Sequence, residues 1–513
     1  MIPINGKPAI GWILEDLISK KITEATIVML PQDQHFKDFL DWAFCKRMDL
    51  TLAESPNPGT VLDSLHAGFP TTGIDGPIRI ILGDTLIQDT FEFDQDVVYT
   101  GQVEESNRWC VVETDNEGRI LKYNDKVNGL EPPLSALAGY YHLLDGRLLQ
   151  QIAKQCIETG EHELSNVLRK YGETRPITAR QTTVWFDFGN IDNLVDARRR
   201  LLKPRSFNSL KIDPVLNTIT KESENDSKLR DELDWYIEIP DELKVLTPRL
   251  VSHRHVSGRL RIVQEYYGYP TLAELFVYGD LYDDIWQSIL RSVIRVHDVF
   301  RGYSGLVTPD VCHQMYFDKT WSRLEKLKSD DPYWMELLGR ESITINGRKY
   351  RGVEALWDDI DTRSRALELN LQPSIIHGDL CFSNILFDLN SQIIRLIDPR
   401  GSFGQKGIYG DPRYDAAKLR HSASGLYDFI VSGLFTAYER NGELDVRIFS
   451  TDLTIGVGKA LDRILISAGY NIEDIQFIEG LLFLSMPPLH SDNTQRQVMM
   501  LANGLRLLNE VLE

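Results

Sequence analysis

The chain contains Ile375-Ile376-His377-Gly378-Asp379-Leu380-Cys381-Phe382-Ser383-Asn384-Ile385-Leu386-Phe387, followed closely by Ile393-Ile394-Arg395-Leu396-Ile397-Asp398. Apolar runs of strand length flank a short polar loop, and each run ends close to an acidic or amide side chain. This pattern predicts a strand, a loop and a second strand, followed by an aspartate. A buried β-hairpin whose Asp and Asn residues only cap turns is the alternative interpretation.

Three polar side chains in this stretch form the set that phosphoryl transfer from ATP requires. One carboxylate must lie near the acceptor hydroxyl, and an amide with a second carboxylate must hold Mg²⁺ against the phosphates. Asp379 suits the first role, and Asn384 and Asp398 suit the second. The sequence therefore predicts Asp379 as the catalytic residue and Asn384 and Asp398 as magnesium ligands.

The spacing of these residues is that of a known motif. His377-Gly378-Asp379, four intervening residues, Asn384 and a downstream Ile397-Asp398 resemble the catalytic and metal segments of the aminoglycoside phosphotransferase and choline kinase family. The resemblance extends from Ser206 to the C-terminus. It implies a bilobal, protein-kinase-like α+β domain that uses ATP and Mg²⁺.

Three residues upstream are candidates for binding the nucleotide. Lys221 ends the second of two predicted strands, and we expect it to contact the α and β phosphates. Glu232 follows on a predicted helix, where it could pair with Lys221. A strand ending at Glu265 resembles the hinge between two lobes, and the backbone after it could meet adenine. The glycine loop of protein kinases is missing, so residues 206–209 would have to replace it. The alternative interpretations are a charge on an edge strand for Lys221 and a charge on a helix surface for Glu232.

The segment after Asp398 supplies candidate supporting residues. Residues 410–419 resemble the G-D-P-x-Y-D-x-A segment of the same family, in which aspartates support the catalytic loop. We expect Asp411 and Asp415 to do so here, with helix capping as the alternative for Asp415. Arg400 is a candidate for binding a phosphate or an acidic substrate. The residues after Leu419 are expected to be helical.

The N-terminal part alternates predicted helices and strands. Residues 7–18, 36–44 and 60–67 read as helices, and residues 25–30 and 77–84 as strands. This alternation predicts an α/β, Rossmann-like sheet whose ligands gather at the carboxyl ends of its strands. Asp84 ends one of these strands and is therefore a candidate metal ligand.

Several segments resemble sugar-phosphate nucleotidyltransferases, in the order of that family. They are Leu82-Gly83-Asp84, the hairpin 109–120 with its Asp-x-x-Gly turn, Asp125-Lys126, the strand 136–141, and Trp185-Phe186-Asp187-Phe188-Gly189. The resemblance implies that Asp84 and Asp187 share one Mg²⁺ ion and that Lys126 pairs with a substrate phosphate. The alternatives are a turn residue for Asp84, a solvated surface lysine for Lys126 and a helix cap for Asp187.

One element of that family is missing. Such enzymes open with a first strand and a glycine-rich loop carrying an arginine, then a lysine, ahead of the segment that Met1–Pro8 resembles. These groups bind the nucleotide phosphates and stabilise transition-state charge. The sequence leaves two explanations open: an earlier natural start, or a degenerate domain that binds a nucleotide without turning it over.

Composition restricts the classes of partner. At 513 residues the chain is too long for a single core, and the charged run before Pro204 predicts domains at 1–204 and 205–513. The formal charge of -19 argues against a nucleic-acid surface. Five cysteines without paired spacing, no signal pattern and no apolar run of roughly 18 residues favour a reduced, cytoplasmic protein without a membrane span.

These observations predict a bifunctional-type enzyme of surface-glycan precursor synthesis. Its C-terminal domain would phosphorylate a sugar or amino alcohol with ATP and Mg²⁺, and its N-terminal domain would use a second nucleoside triphosphate, CTP or another. The alternatives are a single-activity kinase with a degenerate nucleotide-binding domain, and a non-catalytic scaffold. Small molecules and nucleotides are the expected partners, and a homo-oligomer is left open.

Overall fold

The computed structural model describes residues 1–55, 59–71, 73–91, 94–201, 208–223 and 226–513. The chain divides into two compact units, Met1–Arg200 and Leu201–Glu513. The boundary expected at 204/205 and part of the expected phosphate segment 206–209 lie outside the described residues. No helix within the described ranges combines the length and apolar character that crossing a membrane requires.

The N-terminal unit mixes strands and helices. Its strands are β1 Pro3–Ile4, β2 Lys7–Pro8, β3 Glu24–Met29, β4 Asp49–Glu54, β5 Ile78–Ile81, β6 Thr85–Ile87, β7 Val97–Val103, β8 Cys110–Thr114, β9 Ile120–Asp125, β10 Leu134–Leu143, β11 Thr178–Gln181 and β12 Trp185–Asp187. Its helices are α1 Ala9–Ser19, α2 Gln34–Phe44, α3 Val61–Gly68, α4 Gly146–Glu158, α5 Leu164–Thr174 and α6 Ile191–Arg200.

A mixed sheet organises this unit, with strand order β11-β7-β10-β8-β9 and β5 paired to β10. Strand β10 is buried at every position except Ser135, which is partly exposed. Its pairing with β7 shifts between Leu137 and Tyr141, around Gly139 at φ 78°. A Cβ on Gly139 would lie 3.0 Å from the Thr85 hydroxyl, so this close approach requires glycine.

The expected alternation of helices and strands is also present. Strands β3 and β4 are parallel and are connected through α2, which makes a βαβ unit, and α3 packs on both strands. Thr60 caps α3 by accepting from the Asp63 amide at 3.1 Å. The predicted hairpin is β8–β9, and Asp115 accepts from two amides of its turn. The N-terminal unit is therefore of the α/β class.

The C-terminal unit begins with strands and continues mainly with helices. Its strands are β13 Asn208–Asp213, β14 Thr218–Ser223, β15 Leu250–Val256, β16 Arg259–Glu265, β17 Ser342–Ile345, β18 Arg348–Arg351, β19 Ser374–Ile375, β20 Ile385–Asp388, β21 Ile393–Leu396, β22 Ser402–Phe403, β23 Gln405–Lys406, β24 Tyr409–Gly410, β25 Phe435–Arg440 and β26 Glu443–Ile448. Its helices are α7 Asp226–Glu238, α8 Leu272–Tyr278, α9 Asp283–Arg301, α10 Val311–His313, α11 Lys319–Asp330, α12 Pro332–Leu338, α13 Val353–Leu369, α14 Pro412–Ala423, α15 Tyr427–Val431, α16 Asp452–Ser467, α17 Ile472–Leu484 and α18 Thr494–Leu512.

The first lobe is an antiparallel sheet, β13-β14-β16-β15, with α7 packed on β14 and β16. Leu229 and Leu233 of α7 form a small core with Leu260 and Ile262 of the sheet. After β16 the chain enters α8, where Thr271 and Glu274 form a capping box. The helical second lobe follows, which gives the bilobal α+β class expected from the sequence.

Two hairpins depart from the expected architecture. The sheet β18-β17-β26-β25 contains β25 and β26, in a region expected to be helical. The turns at Asn346-Gly347 and Asn441-Gly442 have positive φ at both residues. Asn-Gly supports this conformation, which matches the twist of paired strands. The turn chemistry therefore overrides the helical expectation after Leu419.

The stretch around Asp379 also differs in detail from a simple strand-loop-strand. Its first strand, β19, is short and pairs with β24 rather than with β20. The hairpin is formed by β20 and β21, in the register Ile385↔Leu396. Asp379 therefore lies in a loop between separate pairs of strands, and Asn384 immediately precedes the hairpin.

Candidate active site

The loop that carries Asp379 is held by a buried carboxylate. Asp415 of α14 accepts from the backbone amides of His377 and Gly378, at 2.6 and 2.9 Å. Gly378 adopts φ 76°, which turns the chain toward Asp379. The expected support of the loop by Asp415 is therefore present, and its alternative role as a helix cap is not.

Asp411 has a different role from the one predicted. It caps α14 by accepting from the Arg413 amide at 3.0 Å, and it pairs with the Arg413 guanidinium at 2.8 Å. The Tyr316 hydroxyl also donates to it at 2.8 Å. Asp411 thus anchors the start of α14, the helix that carries Asp415. Asp411 lies one turn before Asp415 and therefore does not reach the loop amides that Asp415 binds.

Asn384 links Asp379 to the strand that leads to Asp398. Its Nδ2 donates to the Asp379 carbonyl at 2.9 Å and to the Asp379 carboxylate at 3.0 Å. Its backbone carbonyl accepts from the amide of Ile397, the neighbour of Asp398, at 3.0 Å. The structure therefore brings Asn384 to Asp379 and positions it beside the segment that ends at Asp398.

One atom of Asn384 indicates what the site could hold. The amide oxygen Oδ1 is buried and has no hydrogen-bond partner among the described residues. An unpaired buried oxygen is costly unless a ligand satisfies it. Amide and carboxylate oxygens are the ligands that Mg²⁺ prefers, with phosphates and water completing the shell. Asn384 and Asp398 fit a Mg²⁺ ion accompanying a nucleotide, although the described residues contain no larger His, Cys, Asp or Glu cluster of metal-binding geometry.

Lys221, Glu232 and Asp398 form one charge cluster, in which Lys221 and Glu232 are largely buried and the Asp398 side chain is 37% exposed. The Lys221 ammonium lies 2.6 Å from Glu232 and 2.9 Å from Asp398. Burial alone would lower the pKa of Lys221, but the two carboxylates outweigh burial and raise that pKa. Lys221 is therefore a fixed cation, and its predicted pairing with Glu232 is present.

Lys418 was missed by the sequence reasoning. This buried lysine of α14 lies 2.9 Å from the Asp379 carboxylate. Burial would raise the pKa of Asp379, but Lys418, then Arg400 and His377, more than offset it and hold that pKa well below its usual value. The available signal was the position of Lys418 three residues after Asp415, a spacing that places both side chains on one face if the segment is helical.

Arg400 contacts α14 and the loop that carries Asp379, and Glu265 ends a strand of the first lobe. Arg400 donates to the Tyr414 hydroxyl at 3.0 Å, and its own amide donates to the His377 carbonyl at 2.9 Å. Glu265 ends β16, and its carboxylate pairs with Arg249 at 2.9 Å and accepts from Tyr267 at 3.0 Å. The side chain of Glu265 is thus engaged within the first lobe by Arg249 and Tyr267.

The N-terminal unit brings its two candidate aspartates together. Asp84 lies in a turn between β5 and β6 rather than at the end of a strand. A Cβ on Gly189 would lie 2.8 Å from the Asp84 carboxylate and 3.1 Å from the Asp187 carboxylate. Burial and the charge of Asp187 raise the pKa of Asp84, as expected for two close carboxylates without a cation. Asn190 rather than Asp187 caps α6, accepting from the Asn193 amide at 2.9 Å.

Lys126 has a different environment. Its ammonium lies 3.3 Å from Glu163, and both side chains are more than half exposed, at 58% and 57%. Exposed pairs of this kind are weak, and Lys126 could exchange Glu163 for another anion at little cost.

A separate cavity of about 360 Å³ opens beside Asp187, with Trp109 and Trp185 in its wall. The structure thus brings Asp84 and Asp187 together, and it pairs Lys126 with Glu163.

Comparisons with known proteins find matches among solved structures alone. No protein-family model matches the chain, and no curated protein sequence matches it. Among solved structures, a thermostable mutant of aminoglycoside phosphotransferase APH(4)-Ia matches at 13% identity and a TM-score of 0.38, over 60% of this chain and 93% of that one. Aminoglycoside-3'-phosphotransferase of type VIII matches at 14% identity and a TM-score of 0.33, over 56% of this chain and 92% of that one.

CTP:phosphocholine cytidylyltransferase (LicC) from Streptococcus pneumoniae matches at 14% identity and a TM-score of 0.32, over 39% of this chain and 87% of that one. Both classes of protein expected from the sequence, nucleotidyltransferases and aminoglycoside phosphotransferases, are thus among the similar structures. The chain is similar to a nucleotidyltransferase and to a phosphotransferase. Similarities at this level do not specify an activity or a substrate.

Proposed function

We propose that the C-terminal unit is an ATP-dependent phosphotransferase acting on a hydroxyl group of a small metabolite. The observation that carries this proposal is the environment of Asn384, which binds Asp379 with its amide nitrogen and keeps a buried oxygen unsatisfied. A hairpin with structural Asp and Asn caps would have no reason to leave that oxygen without a partner. The cytoplasm, where ATP is abundant, is the proposed location.

The residues of this unit divide the chemistry between them. Lys221, held by Glu232 and Asp398, is positioned to bind the nucleotide phosphates. A bound Mg²⁺ would neutralise phosphate charge, and Asn384 and Asp398 would hold it. Asp379 stays ionised because Lys418 lies beside it, so its carboxylate can accept a hydrogen bond from the acceptor hydroxyl throughout the neutral range.

The proposed transfer forms one bond and breaks one. The acceptor oxygen bonds to the γ-phosphorus while the bond from that phosphorus to the bridging β–γ oxygen breaks. The hydroxyl proton passes to the Asp379 carboxylate, and the products are ADP and a phosphate ester. Since the transition state is loose, Asp379 acts mainly by orienting the hydroxyl, and its low basicity is no obstacle.

For the N-terminal unit we propose nucleotide binding with a divalent cation at Asp84 and Asp187. The support is the pair of carboxylates on either side of Gly189, which is unfavourable without a cation. A unit that consumes the phosphate ester made by the other unit would make the chain a bifunctional enzyme of surface-glycan precursor synthesis. Release of pyrophosphate from CTP, or from another nucleoside triphosphate, plus a sugar phosphate, lost in Asp187→Asn, tests this proposal.

The kinase proposal is tested with Asp379→Asn. We expect ADP formation, measured by chromatography over a panel of sugars and hydroxy acids, to fall about 10²- to 10⁴-fold. ATP affinity, measured by calorimetry, should be retained because Asp379 is not a nucleotide contact. The matched control is Asp388→Asn, on β20, where the carboxylate accepts from the Asn390 amide at 3.1 Å. Full turnover by Asp379→Asn would refute the proposal.

A further inference from the structure

A group of cations lies on one side of Asp379. Lys319 is the first residue of α11, and Arg323 follows one turn later on the same face of that helix. Lys418 reaches the same region from α14 and Arg400 from the loop after Asp398. Four cationic side chains in one region are unusual in a chain with a formal charge of -19.

Tyr414 fixes the position of two of these cations. Its side chain is fully buried in α14. The Lys319 ammonium lies 5.6 Å from the centre of its ring, and the Arg400 guanidinium donates to its hydroxyl at 3.0 Å. The two cations are therefore held against one rigid aromatic side chain rather than extending into solvent.

Among the described residues, the carboxylate that acts on Lys319, Lys418 and Arg400 is that of Asp379, so these cations outnumber it. Within the described part of the chain, Lys418 is the member of the group that pairs with a carboxylate, that of Asp379. Arg323 donates to the carbonyl and hydroxyl of Ser485, at 3.2 and 3.3 Å. Burial, followed by the charges of Arg400, Arg323 and Lys418, lowers the pKa of Lys319 well below its usual value. Such repulsion destabilises the ligand-free protein, and an anion would relieve it.

This group is distinct from the proposed phosphate-binding side. The charged groups that act on Lys221 are Asp398 and Glu232. Those that act on Lys319 are Arg400, Arg323, Lys418 and Asp379, and the two sets share no member. Lys319, Lys418 and Arg400 are thus associated with Asp379, the carboxylate at which the proposed function places the acceptor hydroxyl.

We propose that the acceptor carries an anionic group, a carboxylate or a phosphate, which binds between Lys319 and Arg400 while its hydroxyl lies at Asp379. This inference rests on the proposed kinase function and narrows its substrate class. Sugar acids, hydroxy acids and sugar phosphates fit such a site. Amino alcohols without an acidic group do not, because a cationic acceptor would be repelled by Lys319.

Matched acceptors test this proposal. Glycerol, glycerate, glycerol 3-phosphate and choline form one series, and glucose, glucuronate and glucose 1-phosphate form another. We expect ADP formation with an acidic member at a kcat/KM at least 10-fold above that of its neutral counterpart. Glycerate and glycerol 3-phosphate separate a carboxylate from a phosphate as the recognised group. Equal rates for acidic and neutral members, or a preference for choline, would overturn the inference and leave the kinase proposal standing.

Substitution of Lys319 provides the second arm. In Lys319→Met, the ratio of kcat/KM for the acidic acceptor to that for its neutral counterpart should fall about 10- to 100-fold, as for loss of a charged hydrogen bond. Lys319→Arg should preserve most of that ratio. The control is Lys326→Met, an exposed lysine of the same helix, which should leave the ratio unchanged. An unchanged ratio in Lys319→Met would refute the assignment.

A measurement without turnover covers the case in which no acceptor in the panel reacts. Inorganic phosphate, titrated against the full chain, should raise its Tm, and this effect should be lost in Lys319→Met but retained in Lys326→Met. Without phosphate, Lys319→Met should have a higher Tm than the wild type because it removes repulsion. No effect of phosphate on the wild type, together with a lower Tm for Lys319→Met, would overturn the proposal, since a purely structural lysine predicts that result.

Discussion

Lys418 controls the charge state of the candidate catalytic carboxylate, and its replacement gives the sharpest prediction. Lys418→Met keeps the length of the side chain and removes the ammonium that lies 2.9 Å from Asp379. At that distance and an effective dielectric constant of about 20, the Coulomb attraction is about 6 kcal/mol. Because the Asp379 side chain is 38% exposed, solvent screening reduces this to about 3 kcal/mol.

An energy of about 3 kcal/mol corresponds to a rise of about 2 units in the pKa of Asp379. The wild-type carboxylate is ionised throughout the neutral and mildly acidic range, because Lys418 and Arg400 hold its pKa well below the usual value. In Lys418→Met, kcat/KM should therefore begin to fall on acidification at a pH about 2 units higher than in the wild type. This fall is the acidic limb of the pH profile. ADP formation, measured by chromatography from about pH 2.5 to 8, records this limb.

The control is Lys418→Arg, which retains the charge and should keep the wild-type profile. Circular dichroism establishes that each variant is folded at each pH. Removing one partner of a partly buried pair also destabilises the fold, so the profile is compared only where both chains are native. A Lys418→Met profile that coincides with that of the wild type would refute the electrostatic role of Lys418.

Three further predictions concern ATP binding, pH and the fold. Lys221→Met should raise the KM for ATP at least about 10-fold, because a charge-assisted contact to the phosphates is lost, and a KM within twofold of the wild type would contradict this. Burial raises the pKa of Asp428 from 3.8 to about 6 in the folded protein. The protonated carboxyl therefore contributes its full stability below pH 3.8, and this contribution is lost as the pH rises through about 6. In urea unfolding, the free energy of unfolding of Asp428→Asn relative to that of the wild type should therefore increase by about 2 kcal/mol as the pH rises from about 4.5 to 7.5. Gly139→Ala should destabilise the N-terminal unit by about 1 to 3 kcal/mol, more than Gly160→Ala, whose φ is similarly positive but whose surroundings are open.

The sequence predicted the parts of the candidate site that lie close together along the chain. Asp379, Asn384 and Asp398 fall within one loop and one hairpin, so their proximity follows from local geometry. Lys221 and Glu232 lie on a strand and the next helix, and their pairing follows from one short connection. The α/β and α+β classes were likewise predictable, because apolar periodicity and turn residues are local signals.

The sequence also contained signals that the expectations did not use. Asn346-Gly347 and Asn441-Gly442 are both typical of tight hairpins, and both form them. The assumption that the apolar region after Leu419 is uniformly helical hid the second hairpin. That Asp411 caps α14 while Asp415 supports the loop could not be read locally, since both positions suit a helix start and only the packing of α14 against the loop distinguishes them.

What the amino-acid order determined by itself is the chemistry available near Asp379: a carboxylate, an amide and a second carboxylate joined by a few residues of backbone. What only the tertiary structure decided is the charge around that carboxylate. Lys418, Arg400 and Lys319 come from three separate segments, and no local rule relates their positions. Electrostatic energy depends on distance in space and on burial, and both exist only after the helices have packed.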